Sequence, residues 1–135
     1  MRACMADFYT ALEVRARPRQ APQVTVRAMV DTGSEYSWIP ADLLASLGIE
    51  VQHALYFTTA TGEQVTRPAG YAFLTAEGRE TVDVVVFAEP GDATLLGART
   101  LEGFNVNVDP IAKRLVPGGP ILVPANIAIG RAPGI

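Results

Sequence analysis

At 135 residues the chain is sized for one domain, and 49% apolar against 19% charged residues is a globular composition rather than a disordered one. A formal net charge of −3, with 11 basic and 14 acidic residues and no basic stretch interleaved with aromatics, argues against a nucleic-acid surface. The single cysteine, Cys4, excludes an intrachain disulfide framework and a Cys-rich zinc site; the single histidine, His53, argues against a His-based metal site and a Ser–His–Asp triad. Phe8 to Ala16 alternates, with Leu12, Val14 and Ala16 on one side and Glu13 and Arg15 on the other, and predicts a half-buried strand. Pro18 and Pro22 mark a turn. Val24, Val26, Ala28 and Val30 then share one face of a second strand, which Asp31-Thr32-Gly33-Ser34 interrupts with turn residues.

An apolar run, Tyr36 to Ile39, leads into Pro40–Gly48, the strongest helix signal: Pro at its start, Leu43, Leu44 and Leu47 on one face, and Gly48 as cap. Ala54 to Thr59 and Gln64 to Arg67 flank the turn Ala60-Thr61-Gly62-Glu63, with Pro68 and Gly70 expected to break or bulge the run. Tyr71–Thr75 and Thr81–Phe87 flank Ala76–Arg79 as a second hairpin. The second of these strands is apolar on both faces and is expected to be covered on both. Leu95-Leu96-Gly97 predicts a short buried strand, Ala98–Glu102 one helical turn closed by Gly103, and Phe104–Asp109 and Leu115–Val116 two last strands. Many short strands, tight turns and one or two short helices predict a mainly β domain.

The segment Ala28-Met29-Val30-Asp31-Thr32-Gly33-Ser34 carries the chemistry. An apolar strand runs straight into a carboxylate, and burying a carboxylate is costly unless it is hydrogen-bonded. Gly33 permits a sharp turn that brings backbone N–H groups near Asp31, and Thr32 and Ser34 supply hydroxyls. The pattern suits the holding of a partly buried carboxylate.

On these residues the chain resembles the single-domain, retropepsin-like aspartic proteases. Asp31-Thr32-Gly33-Ser34 after an apolar strand matches their active-site motif, and Leu95-Leu96-Gly97 before a short helix matches their second signature. The helix that follows Ile39 looks like the version in bacterial members. The resemblance implies a closed or partly open β-barrel with a substrate-covering flap hairpin, whose tip would be Ala60, Thr61, Gly62 and Glu63. It implies an aspartic endopeptidase with Asp31 as the catalytic residue and Thr32, Gly33 and Ser34 in support. In such enzymes the hydroxyl at the Ser34 position bonds the aspartate's outer oxygen. The chain has one such motif where the chemistry needs two aspartates, so the resemblance implies a homodimer acting on an extended peptide, with no cofactor and no metal. The alternative is a catalytically silent peptide-binding or dimerisation module of the same fold.

Three features depart from the viral pattern. Ala98 stands where those enzymes have Arg, the turn at Gly62 is less glycine-rich, and a Pro/Gly-rich tail follows the last strand. The expected division is a protease domain over 7–117 and an extension over 118–135. His53 reads as a solvated loop residue, Trp38 as core packing, Cys4 as an unimportant thiol, and Arg15, Arg17 and Arg19 as a basic edge that blunts a terminal strand. No apolar run approaches the length of a membrane span, and the first residues lack an apolar signal core, so a soluble cytoplasmic protein is expected.

Overall fold

The computed structural model describes residues 8–19 and 22–127; Cys4 lies outside them. Nine strands and two short helices follow one another along the described chain. β1 (Tyr9–Arg15) and β2 (Gln23–Val30) pair antiparallel in the register Leu12↔Val26 and Val14↔Val24. Their alternation buries Leu12, Val14, Val26, Ala28 and Val30 on one face. β3 (Ser37–Pro40) runs into α1 (Ala41–Ser46), for which Pro40 is the N-cap rather than the first helical residue. Gly48, at φ +79, ends that turn, and Leu44 and Leu47 are buried beneath it.

β4 (His53–Thr58) and β5 (Gln64–Ala76) form the first hairpin, and β5 and β6 (Arg79–Ala88) the second. β7 (Leu95–Leu96) is short and lies between β2 and β3. α2 (Ala98–Phe104) leads to β8 (Val106–Asp109), which pairs only locally with β9 (Arg114–Pro117). The main sheet has the order β1-β2-β7-β3-β6-β5-β4, and a further pairing of β1 with β5 closes all but β4 into a ring. Inside the ring sit Leu12, Val14, Ile39, Leu74, Val85 and Leu96, all fully buried, with Leu44, Leu101 and Phe104 of the helices packed on them. β4 hangs outside the ring on β5, so β4 and the first half of β5 form a projecting arm.

Several local expectations change in this setting. β5 is one 13-residue strand straight through Pro68 and Gly70. Residues 64–69 of β5 pair with β4 and residues 69–76 with β6. Pro68 thus falls where β5 has a neighbour on one side only, and its missing N–H breaks no second ladder. α2 runs past Gly103 and is closed instead by Asn105, whose φ of 56 and ψ of 53 are left-handed. Gly103 is needed for contact, because a Cβ there would lie 2.4 Å from Thr81 Oγ1. β6 is covered on both faces only from Val85 onward; Val82 is 57% exposed. β1 is no terminal edge, since Glu13 to Arg15 pair with both β2 and β5, and Arg15 bonds Glu13 at 2.8 Å. His53 is an exposed first residue of β4 rather than part of a loop.

Candidate active site

Asp31 follows the last residue of β2, and its place is set by the strand beside it. Met29 and Val30 pair in parallel with Leu95 and Leu96 of β7, and the Asp31 N–H donates to the Leu96 carbonyl at 3.0 Å. The chain then turns tightly. The Ser34 N–H donates to the Asp31 carbonyl at 3.1 Å, and the Gly33 N–H donates to Asp31 Oδ1 at 3.0 Å. A half-buried carboxylate held by a backbone N–H is thereby aimed off the end of an apolar strand.

Leu95-Leu96-Gly97 lies against this turn. The Ala98 N–H donates to the Ser34 carbonyl at 2.7 Å and the Arg99 N–H to the Glu35 carbonyl at 3.0 Å. Residues 34–36 are thus laced to the start of α2. Gly97 leaves no room for a side chain against this stretch: a Cβ there would lie 2.4 Å from the Tyr36 carbonyl oxygen. Beneath them runs a buried polar chain. The Gly97 N–H donates to Ser37 Oγ at 2.9 Å, Ser37 Oγ meets Thr100 Oγ1 at 2.7 Å, and Thr100 Oγ1 donates to Asp83 Oδ2 at 3.0 Å. β3, α2 and β6 are joined through it. Ser34 departs from the sequence expectation, because its hydroxyl donates to the Tyr36 carbonyl at 2.7 Å. That bond ties Ser34 to the stretch that follows the turn, while its backbone N–H closes the turn itself.

A cleft of about 810 Å³ opens in front of Asp31, between this turn and the projecting arm. Leu55 and Phe57 on β4 and Val65 on β5 face into it, as period-two alternation requires. Tyr36, Trp38 and Leu95 line the opposite wall. Trp38 is therefore a cleft-wall residue rather than core packing: it is half-buried, with its ring 4.9 Å from that of Phe57. Tyr36 meets Phe57 edge-on at 6.2 Å. The arm ends in a well-bonded tip. Thr59 N–H donates to the Glu63 carbonyl at 2.7 Å, Gly62 N–H to the Thr59 carbonyl at 2.9 Å, and Gly62 has a φ of +89. Ala60 lines the cleft, and Thr61, Gly62 and Glu63 are exposed at the tip.

Thr32 points elsewhere. It is exposed and borders a second, mainly apolar groove with Ala98, Leu101, Val106 and Val108. Among the described residues no group of His, Cys, Asp and Glu is placed to hold a metal ion, and no helix is long and apolar enough to cross a membrane.

Three parts of the site were not singled out from the sequence: the Phe57–Tyr36–Trp38 wall, the Ser37–Thr100–Asp83 chain, and an ion pair between Arg67 and Asp92. The only linear signal for the second is a lone carboxylate, Asp83, inside an otherwise apolar strand. In the third, Arg67 Nε and Nη2 donate to Asp92 Oδ2 and Oδ1 at 2.8 and 3.0 Å. The Arg67 hydrogen bond, opposed by burial and helped by the Glu89 N–H and the guanidinium charge, holds the Asp92 carboxyl below the usual carboxylate range. The same bond raises Arg67.

No curated protein matches the chain in sequence. The solution structure of the protease of simian foamy virus (mac) is similar in fold, with a TM-score of 0.51 at 17% identity, covering 70% of this chain and 92% of that one. The sequence model described as aspartyl protease matches residues 20–100, more than half of the chain, and the match spans both Asp31-Thr32-Gly33 and Leu95-Leu96-Gly97. An apolar strand delivering a carboxylate into a cleft beneath a hairpin, on a ring of short strands, is what that match describes in three dimensions: the chain belongs to the aspartyl protease family and has the retropepsin fold.

Proposed function

We propose that the protein is an aspartic endopeptidase whose active form is a homodimer, with Asp31 of each subunit meeting at the two-fold axis. The observation that carries this reading is the placing of Asp31 at the floor of the arm-covered cleft in a chain of the aspartyl protease family. The apolar groove beside Thr32 supports a partner contact next to Asp31. Thr32, exposed at its rim, is available to bond a partner's backbone.

Two carboxylates about 3 Å apart repel by about 5 kcal/mol at an effective dielectric of 20. As in aspartic-protease dyads generally, they share one proton and titrate as a unit. The ionised carboxylate takes a proton from water while the protonated one donates to the scissile carbonyl oxygen. The water oxygen bonds to the carbonyl carbon, and a tetrahedral diol forms. A proton then moves to the amide nitrogen, the C–N bond breaks, and acid and amine products leave. The Gly33 N–H on Asp31 Oδ1 keeps the carboxylate oriented through this cycle. The arm serves as the flap, with 60–63 at its tip, and closes over an extended peptide. Tyr36, Trp38 and Phe57 present an aromatic wall to side chains near the scissile bond, which favours apolar and aromatic residues there. Residues 118–135 act as an extension outside the protease domain over 7–117.

The test is cleavage of a peptide library, read by mass spectrometry from acidic to neutral pH, with wild type beside Asp31→Asn. Wild type alone is expected to cut, with specific activity rising with protein concentration through the dimer range. Activity in a proven monomer would refute the shared dyad. Peptide binding without any cleavage would favour the silent module.

A further inference from the structure

Arg67 stands at the root of the arm, two residues before β5 passes from β4 to β6. It lies on the inward face with Val65, and its side chain is only 14% exposed. The two-point clamp on Asp92 fixes both position and angle, as a guanidinium fork on a carboxylate does. Asp92 is itself held, since its Oδ2 accepts the Glu89 N–H at 2.8 Å and so closes the loop from β6 to β7. Glu89 Oε1 adds a second, longer ion pair with Arg67 at 3.6 Å. Among the described residues these are the only ion pairs that tie the arm to the ring.

The loop on which the clamp closes leads straight to the floor of the cleft. Two residues after Asp92, the Thr94 carbonyl accepts the Met29 N–H, and Leu95 pairs with both Met29 and Trp38. The Arg67 guanidinium also lies 5.9 Å from the centre of the Trp38 ring, which packs on Phe57 of the arm. Two routes thus connect the arm's root to the strand that carries Asp31, one through Asp92 and one through Trp38.

We propose that Arg67 is a positioning residue for substrate capture: its clamp on Asp92 sets the angle at which the arm stands over the Asp31 cleft. This rests on the reading of the arm as a substrate-covering flap. With the clamp released, the arm swings about 68–70, and the roof formed by Leu55, Phe57 and Val65 parts from the wall formed by Trp38 and Leu95. Peptide binding weakens, while the chemistry at Asp31 in the bound complex is unchanged.

The test compares Arg67→Ala, Arg67→Lys and the neutral pair Arg67→Gln/Asp92→Asn, which leaves no orphaned charge. Three readouts are used: kcat and KM on a cleaved peptide, hydrogen exchange of residues 53–67, and fluorescence of Trp38, the only tryptophan. Arg67→Ala and the neutral pair are expected to raise KM about tenfold with kcat within about twofold, with Arg67→Lys in between. Arm amides are expected to exchange about tenfold faster while β2 and β6 keep their protection, and Trp38 emission to shift to the red. A folded neutral pair with wild-type KM and arm exchange would overturn the proposal. So would a fall in kcat at constant KM, or global unfolding of the neutral pair, which would make the clamp a general prop. If wild type cuts no peptide, the protease reading fails by itself, and exchange and fluorescence still decide the clamp.

Discussion

Replacing Gly97 by Ala tests how the two signature segments are locked together. A Cβ at this position would lie 2.4 Å from the Tyr36 carbonyl oxygen, 2.6 Å from its carbon and 2.9 Å from the Ser34 carbonyl oxygen. Ordinary contact starts at 3.4 Å, so the nearest atom is about 1 Å too close, and all three atoms are backbone that cannot rotate away. Relief requires residues 34–36 to move off α2. That motion stretches the hydrogen bonds from Ala98 and Arg99 at 2.7 and 3.0 Å and the bond from Gly97 to Ser37. Overpacking of this kind costs about 1–3 kcal/mol, and weakening two backbone bonds adds about 1 kcal/mol. The expected loss is about 3 kcal/mol, or roughly 10 °C in Tm for a chain of this length. Gly78→Ala is the control, because Gly78 has open space around it and a φ of +76, so a Cβ there meets no atom and costs only the backbone strain of a left-handed alanine, about 1–2 kcal/mol. Urea unfolding and calorimetry of the two variants beside wild type give the comparison. If Gly97→Ala melts within about 2 °C of wild type, or no lower than Gly78→Ala, the close-contact argument is wrong.

Three further outcomes follow from the same geometry. Thr100→Val removes the hydroxyl between Ser37 and Asp83 while keeping the shape, and is expected to lower stability by about 2 kcal/mol at an unchanged urea m-value; a neutral effect would mean the buried chain contributes nothing. Asp92 has its carboxyl lowered by the Arg67 hydrogen bond, so its stabilising contribution is complete above the ordinary carboxyl pKa of about 4 and is lost as pH falls through the lowered folded value. Urea midpoints should therefore show wild type above Asp92→Asn at neutral pH and the gap closing below about pH 4, and a constant gap would refute the linkage. Phe57→Ala strips the arm of its contacts with Trp38 and Tyr36 and is expected to raise the KM for peptides about tenfold while the fold is retained, as circular dichroism would check.

What could be read along the chain is what neighbouring residues decide. Alternation in Leu12–Val14 and Val24–Val30 specified which face is buried before any partner was known. The turn signals at Gly48, Gly62 and Gly78 fell where the chain adopts positive φ. The motif at Asp31 and the second signature at Gly97 were legible because each is a short run whose residue types are tied to local backbone geometry. Errors arose where a distant element took over. Gly103 looked like a helix stop, yet the contact with Thr81 on β6 is what demands it, and Asn105 does the capping. Pro68 looked like a strand breaker, but the handover from β4 to β6 leaves its nitrogen facing no second ladder. Trp38 looked like core until the arm placed Phe57 against it. The Arg67–Asp92 clamp and the Ser37–Thr100–Asp83 chain join residues 25 and 63 positions apart, or 17 in the last link. No periodicity encodes such pairings. A side chain's local pattern decides whether it faces inward, while the closure of the ring decides what it meets there.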